Sequence, residues 1–202
     1  MKHTSRLFLL GCCAVSLSAG TVLSIQPAVI SAGTPSTANV FDVLLTNTGV
    51  SSITVGGFSF EVSVTDPDIT LTGADFATLL APYIFAGQSL DIDFSIPLNG
   101  SHGATLDAGD VSDGTGAVIA AGKTLALGEV FFDVAKNAAL GQFAVTFTGG
   151  SNGNSVFDVA GAPIAIDDKT PGAINIAVPE PSSALLALAA LSGIAGMFRR
   201  RR

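Results

Sequence analysis

Apolar and polar residues alternate strictly through several short stretches of this chain, and that alternation constrains the fold more than any other feature. Phe58, Phe60, Val62 and Val64 are separated by Ser59, Glu61 and Ser63. Ile92, Phe94 and Ile96 alternate with Asp91, Asp93 and Ser95, and Phe143, Val145 and Phe147 with Ala144 and Thr146. Val130, Phe132 and Val134 follow the same rule against Phe131 and Asp133, as do Phe41, Val43 and Leu45 against Asp42. A period of two puts one face of a strand in a core and the other in water. Turn formers punctuate the runs at Asn47-Thr48-Gly49, Asp66-Pro67, Asn99-Gly100, Asp113-Gly114 and between Gly149 and Asn154. One segment reads differently. Ala74 to Phe85 places Phe76, Leu79, Leu80 and Tyr83 at helical spacing, with Pro82 near its end. Many short alternating strands and one short helix point to an all-β, Ig-like or jelly-roll β-sandwich.

Charge limits the partners. From Ile25 to Val178 the chain has 15 acids against the three bases Lys123, Lys136 and Lys169, a net of −12. Phosphate binding needs clustered Lys and Arg, so no nucleic-acid partner is expected. Both cysteines, Cys12 and Cys13, lie near the N-terminus, so no disulfide can staple the rest.

The two ends carry sorting information. Lys2, His3 and Arg6 precede an apolar run from Leu7 to Leu17, and Ser18-Ala19-Gly20 supplies small residues for cleavage after Gly20 or one or two residues earlier. This is the pattern of a signal peptide over residues 1–20, implying signal peptidase and the export machinery as partners. Leu9-Leu10-Gly11-Cys12 offers a competing lipoprotein box, but only a short apolar run precedes Cys12. About 155 residues, 21–176, remain for one domain with a real core.

Residues 177–202 contain Pro179-Glu180-Pro181, an apolar run to Phe198, and the basic cluster Arg199, Arg200, Arg201 and Arg202. Two prolines stop any regular element. Ser182 to Phe198 would span about 25 Å as a helix, near the lower limit for a bilayer, with the arginines held on the cytoplasmic side. The order of these parts resembles the PEP-CTERM sorting signal. That resemblance implies an exosortase as partner, a Gram-negative producer of exopolysaccharide or biofilm matrix, and inner-membrane insertion through the tail. Processing near Pro179-Glu180-Pro181 would then place the protein on the cell surface or in the matrix.

Val40 to Leu45, Gly57-Phe58-Ser59-Phe60-Glu61-Val62, Leu127 to Val134 and Ala138 to Phe147 together are similar to cohesin-type domains. Those are jelly-roll sandwiches related to carbohydrate-binding modules. Fold alone does not imply a partner.

Parts for catalysis are scarce. His102 is the only histidine beyond the signal peptide and lies in a glycine-rich stretch, and no thiol accompanies it, so neither a Ser-His-Asp site nor zinc is expected. Paired carboxylates remain conceivable, but Asp91, Asp93 and Asp133 sit at the wet positions of alternating strands. Asp107, Asp110 and Asp113 recur every three residues in Leu106 to Gly114, and these acids are the candidate calcium ligands. Their spacing is not that of an EF-hand, and Asp is also a default turn residue. The chain has no Trp and a single tyrosine, Tyr83, so any sugar contact would rest on hydrogen bonds more than ring stacking. The expectation is a non-catalytic, exported structural or adhesive protein. The alternative is an extracellular module that binds carbohydrate, exopolysaccharide or protein, with calcium as a structural ion.

Overall fold

The computed structural model describes residues 20–33, 35–95, 104–149 and 153–178. Among them are fifteen strands and no helix. In chain order they are β1 (Thr21–Ile25), β2 (Ala28–Ser31), β3 (Ser36–Asn47), β4 (Ile53–Val55), β5 (Gly57–Val64), β6 (Ile69–Asp75), β7 (Asp93–Ser95) and β8 (Thr105–Val111). There follow β9 (Ala117–Ile119), β10 (Thr124–Val134), β11 (Gly141–Phe147), β12 (Ser155–Phe157), β13 (Pro163–Ile164), β14 (Asp168–Thr170) and β15 (Gly172–Ala177).

Two sheets face one another. The first has the order β14-β1-β3-β10-β6. The second runs β7-β8-β5-β11-β15-β2, and β12 with β13 extends it where β12 pairs with the first three residues of β5. A small ribbon, β4 with β9, closes one end. The chain changes sheets twice at a proline. Pro27 separates β1, in the first sheet, from β2 in the second; Pro171 separates β14 from β15 in the same way. Proline has no N–H for a ladder, so it ends one pairing and frees the chain to begin another.

The alternating apolar residues fill the space between the sheets. Phe41, Val43, Leu45, Phe58, Phe60, Val62, Val64, Val130, Phe132 and Val134 are all buried, as the period of two requires. Phe41 and Phe132 meet at 5.8 Å between ring centroids, and Phe58 stacks between Phe60 at 6.1 Å and Phe85 at 5.7 Å. Each such buried ring is worth about 1.5–3 kcal/mol. β10 carries a bulge between Ala126 and Gly128. Gly128 has φ +142°, and a Cβ there would stand 2.8 Å from the carbonyl oxygen of Asp75, so only glycine fits.

The helix expected over Ala74 to Phe85 does not form. β6 continues through Asp75, and the backbone beyond it finds partners outside itself. The Phe76 N–H donates to Asp75 Oδ1 at 2.6 Å. Leu79 and Leu80 donate their N–H groups to the carboxylate of Asp42, at 2.9 and 2.7 Å to Oδ2. Ala126 donates to the Pro82 carbonyl at 3.0 Å, and Ile84 to the Ala126 carbonyl at 2.8 Å. These bonds replace an i→i−4 ladder. The burial is also the reverse of an amphipathic helix: Tyr83, Ile84 and Phe85 enter the core, while Phe76, Leu79 and Leu80 stay exposed.

Candidate functional site

The outer face of the second sheet gathers the unusual polar residues. On β5, Phe58, Phe60 and Val62 point into the core, so Ser59, Glu61 and Ser63 point out. β8 lies antiparallel beside it, pairing Ser59 with Gly109, Glu61 with Asp107 and Ser63 with Thr105. Asp107 and Glu61 are therefore direct cross-strand neighbours. Both were expected to be wet or to lie in turns, yet Asp107 is only 9% exposed and Glu61 only 6%.

Several groups hold this pair. The Thr148 hydroxyl donates to Glu61 Oε1, and the Thr148 N–H donates to the Glu61 carbonyl at 3.0 Å. The Glu61 N–H donates to Asn154 Oδ1 at 3.1 Å, while the Asn154 side-chain amide donates to the Thr148 carbonyl. Asp107 Oδ1 is buried with no hydrogen-bond partner. Burial pushes the Asp107 carboxyl above its ordinary 3.8, and the adjacent Glu61 adds to the effect.

The three acids spaced along Leu106 to Gly114 do not come together. β8 has a strand's period, so Asp107 faces out with Glu61 while Asp110 shares the inward parity of Leu106 and Ala108. Asp110 Oδ2 accepts from the Tyr83 hydroxyl at 2.5 Å and from Ser89 Oγ at 2.5 Å, fastening the Tyr83–Ser89 loop to β8. Burial, with Asp110 as acceptor, holds the Tyr83 phenol protonated far above its usual range. Asp113 lies past the strand end and is exposed. Among the described residues no group of three or more acids, histidines or cysteines is arranged to hold a metal ion. Asp107, Asp110 and Asp113 thus point to different places: one faces out, one faces in, and one belongs to the turn.

Beside the Glu61–Asp107 row, Asp93 of β7 pairs with Gly109. Here an open recess of about 340 Å³ is lined by Ser59, Asp93, Phe94, Asp107, Gly109 and Val111, among others. Phe94 and Val111 are 44% and 51% exposed at its walls. Phe94 was expected in the core; β7 is a three-residue strand at the end of its sheet, which leaves the ring half uncovered. Asp91 and Asp93 are exposed, as their parity implied. No local signal marks Glu61 as a site residue, because its significance lies in the strand it opposes.

Pro179, Glu180, Pro181 and Arg199 to Arg202 lie outside the described residues, as do His102 and residues 1–19 of the expected signal peptide. Among the described residues no helix is long and apolar enough to cross a membrane. Residues 177–202 match the family described as the PEP-CTERM protein-sorting motif. The chain ends in an exosortase sorting motif. It is accordingly an exported protein sorted through its C-terminal region.

The sandwich is cohesin-like. The seventh ScaB type I cohesin of Pseudobacteroides cellulosolvens superposes with TM-score 0.56 at 12% identity, over 80% of this chain and 95% of that one. A cohesin from a type I cohesin–dockerin complex of Clostridium thermocellum gives 0.55 at 12% identity, over 78% and 99%. The non-cellulosomal cohesin of the archaeon Archaeoglobus fulgidus gives 0.53 at 14%, over 82% and 97%. At such identities the likeness is one of fold. No curated protein matches the chain.

Proposed function

We propose that this is a non-catalytic surface or matrix protein whose sandwich binds a protein partner after export. The observation that carries the reading is the conjunction of an exosortase sorting motif with a cohesin-like sandwich. Several of the similar sandwiches are seen in complexes with dockerins, which makes protein recognition the leading use for this one. Residues 182–198 insert as a helix, and processing near Pro179-Glu180-Pro181 leaves the domain outside, in contact with exopolysaccharide and biofilm matrix.

The β7–β8 edge of the second sheet, where the recess opens, is the proposed docking surface. Its recess sets exposed carboxylates of Asp91 and Asp93 beside the apolar Phe94 and Val111. A partner presenting a Lys or Arg next to an apolar side chain fits that chemistry, since the aliphatic stem of either residue can cover Phe94 while its head meets the acids. Direct sugar binding has less support: Tyr83 is buried in the core and no Trp exists to stack on a ring.

The test is capture from the producer's surface-protein fraction and, separately, from isolated exopolysaccharide, using the purified exported protein as bait. The expected result is one protein retained in low salt and weakened at least tenfold by Asp93→Lys or Val111→Arg. Lys169→Glu on the first sheet should leave it unchanged. Binding to the polysaccharide alone, or binding indifferent to both second-sheet variants, would replace this reading with the carbohydrate-binding one.

A further inference from the structure

We propose that Glu61 and Asp107 form the core of a divalent-cation site, for calcium or magnesium, on the outer face of the second sheet. The inference concerns the ion and stands whether or not a protein partner docks nearby. It starts from an unfavourable arrangement. Glu61 and Asp107 are directly opposed across an antiparallel pair, where Cβ atoms lie about 4.5–5.5 Å apart and like charges destabilise. Both are more than nine-tenths buried.

Among the described residues no cationic side chain relieves them. The three lysines of the domain are exposed and belong to the other sheet: Lys123 just before β10, Lys136 just after it, and Lys169 within β14. The hydrogen bonds at the pair are lopsided as well. Glu61 Oε1 accepts the Thr148 hydroxyl, but Asp107 Oδ1, buried beside the recess it lines, accepts nothing. An uncompensated buried carboxylate oxygen costs several kcal/mol, and a positive ion is what such an oxygen lacks.

The donor set selects the ion. Two carboxylates and a hydroxyl are hard oxygen donors with no nitrogen or sulfur among them, which favours calcium or magnesium over zinc or copper. With only these protein oxygens, water completes the coordination shell. Affinity should fall in the weak range of about 10⁻⁴–10⁻³ M typical of extracellular modules. The exported protein meets the ion outside the cell, where that range suffices. This site shares Asp107 with the triad considered from sequence but replaces Asp110 and Asp113 with Glu61.

The experiment is a thermal melt of the purified protein at pH 8 in EDTA, then with calcium or magnesium chloride at constant ionic strength, alongside isothermal titration with each ion. Calcium at about 100 times its Kd should raise the Tm by about 5–11 °C. Glu61→Gln and Asp107→Asn should abolish both the shift and the calorimetric binding. Without metal they should melt at or above the wild type, because each removes one of two repelling charges. Asp93→Asn, in the neighbouring row, should keep the shift. No shift with either ion up to about 10 mM, or an equal shift in Asp107→Asn, would overturn the proposal. So would a wild type that ignores both ions and whose rise in Tm on acidification is lost in Asp107→Asn but kept in Glu129→Gln, since the pair would then be sharing a proton.

Discussion

Asp42 offers the sharpest test of how this sandwich holds its longest irregular segment. Its side chain is fully buried on the outer side of β3, under the chain that leaves β6. The carboxylate accepts the Leu79 N–H at 3.0 Å to Oδ1 and 2.9 Å to Oδ2, and the Leu80 N–H at 2.7 Å. A hydrogen bond to a charged group contributes about 1.5–3 kcal/mol, so two donors put the gross value near 3–6 kcal/mol. Water can reach the freed N–H groups in part, and repulsion from Glu129, its direct neighbour on β10, is relieved. Asp42→Ala should therefore cost about 3 kcal/mol, and Asp42→Asn, which keeps one acceptor oxygen, about 1–2 kcal/mol. At about 2–4 °C per kcal/mol the alanine variant should melt about 6–12 °C lower. The segment it releases carries Tyr83, Ile84 and Phe85 into the core, so protease cutting between Phe76 and Leu80 should accelerate with the loss of stability. Urea unfolding followed by circular dichroism measures the first effect and limited proteolysis the second. Asp133 is the control, because it caps the Ala38 N–H at 2.9 Å in an exposed setting and its alanine variant should cost under about 1 kcal/mol. If Asp42→Ala stays within about 0.5 kcal/mol of the wild type, the carboxylate is not what prevents a helix here.

Three further outcomes follow from the geometry. Gly128→Ala should destabilise by about 2 kcal/mol or more in urea titration, since φ +142° and the Asp75 carbonyl both exclude a Cβ; a neutral result would mean the bulge can shift register. Glu129 is held above its ordinary 4.5 by burial first, then by Asp42 and Asp75. The native state thus takes up a proton that the unfolded chain does not, and this group's contribution to stability is complete below pH 4.5 and lost as pH rises through the raised value. Glu129→Gln should raise the Tm at pH 8 and flatten the Tm–pH profile from there down to about pH 5; an unchanged profile would remove Glu129 as the cause. Gly20 is buried and its carbonyl accepts the Thr48 N–H at 3.0 Å, so Edman sequencing of the exported protein should begin at Gly20 or before it, not at Thr21.

The period of two made the sheets legible from sequence because it reports which face is buried: Phe58, Phe60, Val62 and Val64 of β5 and Val130, Phe132 and Val134 of β10 all enter the core. The sorting tail was legible for a different reason: proline, apolar length and terminal charge act locally and need no partner. Cross-strand relations were not legible. Asp107 and Asp110 looked like turn residues because Asp and Gly favour turns, but pairing with β5 on one side and β7 on the other overrides that local preference. Glu61 looked like an ordinary wet-face acid until its neighbour proved to be Asp107. The segment from Ala74 to Phe85 failed as a helix because Asp42, more than thirty residues earlier in the chain, captures its N–H groups.

Sorting is tested most directly by the intact mass of the protein recovered from its producer, with the exosortase gene present and deleted. The mass should lack the residues before about Gly20 in both strains, and should lack the residues after the Pro179-Glu180-Pro181 region only where exosortase is present. Retention of Arg199 to Arg202 in both strains would contradict the sorting account and leave the tail as a plain membrane anchor.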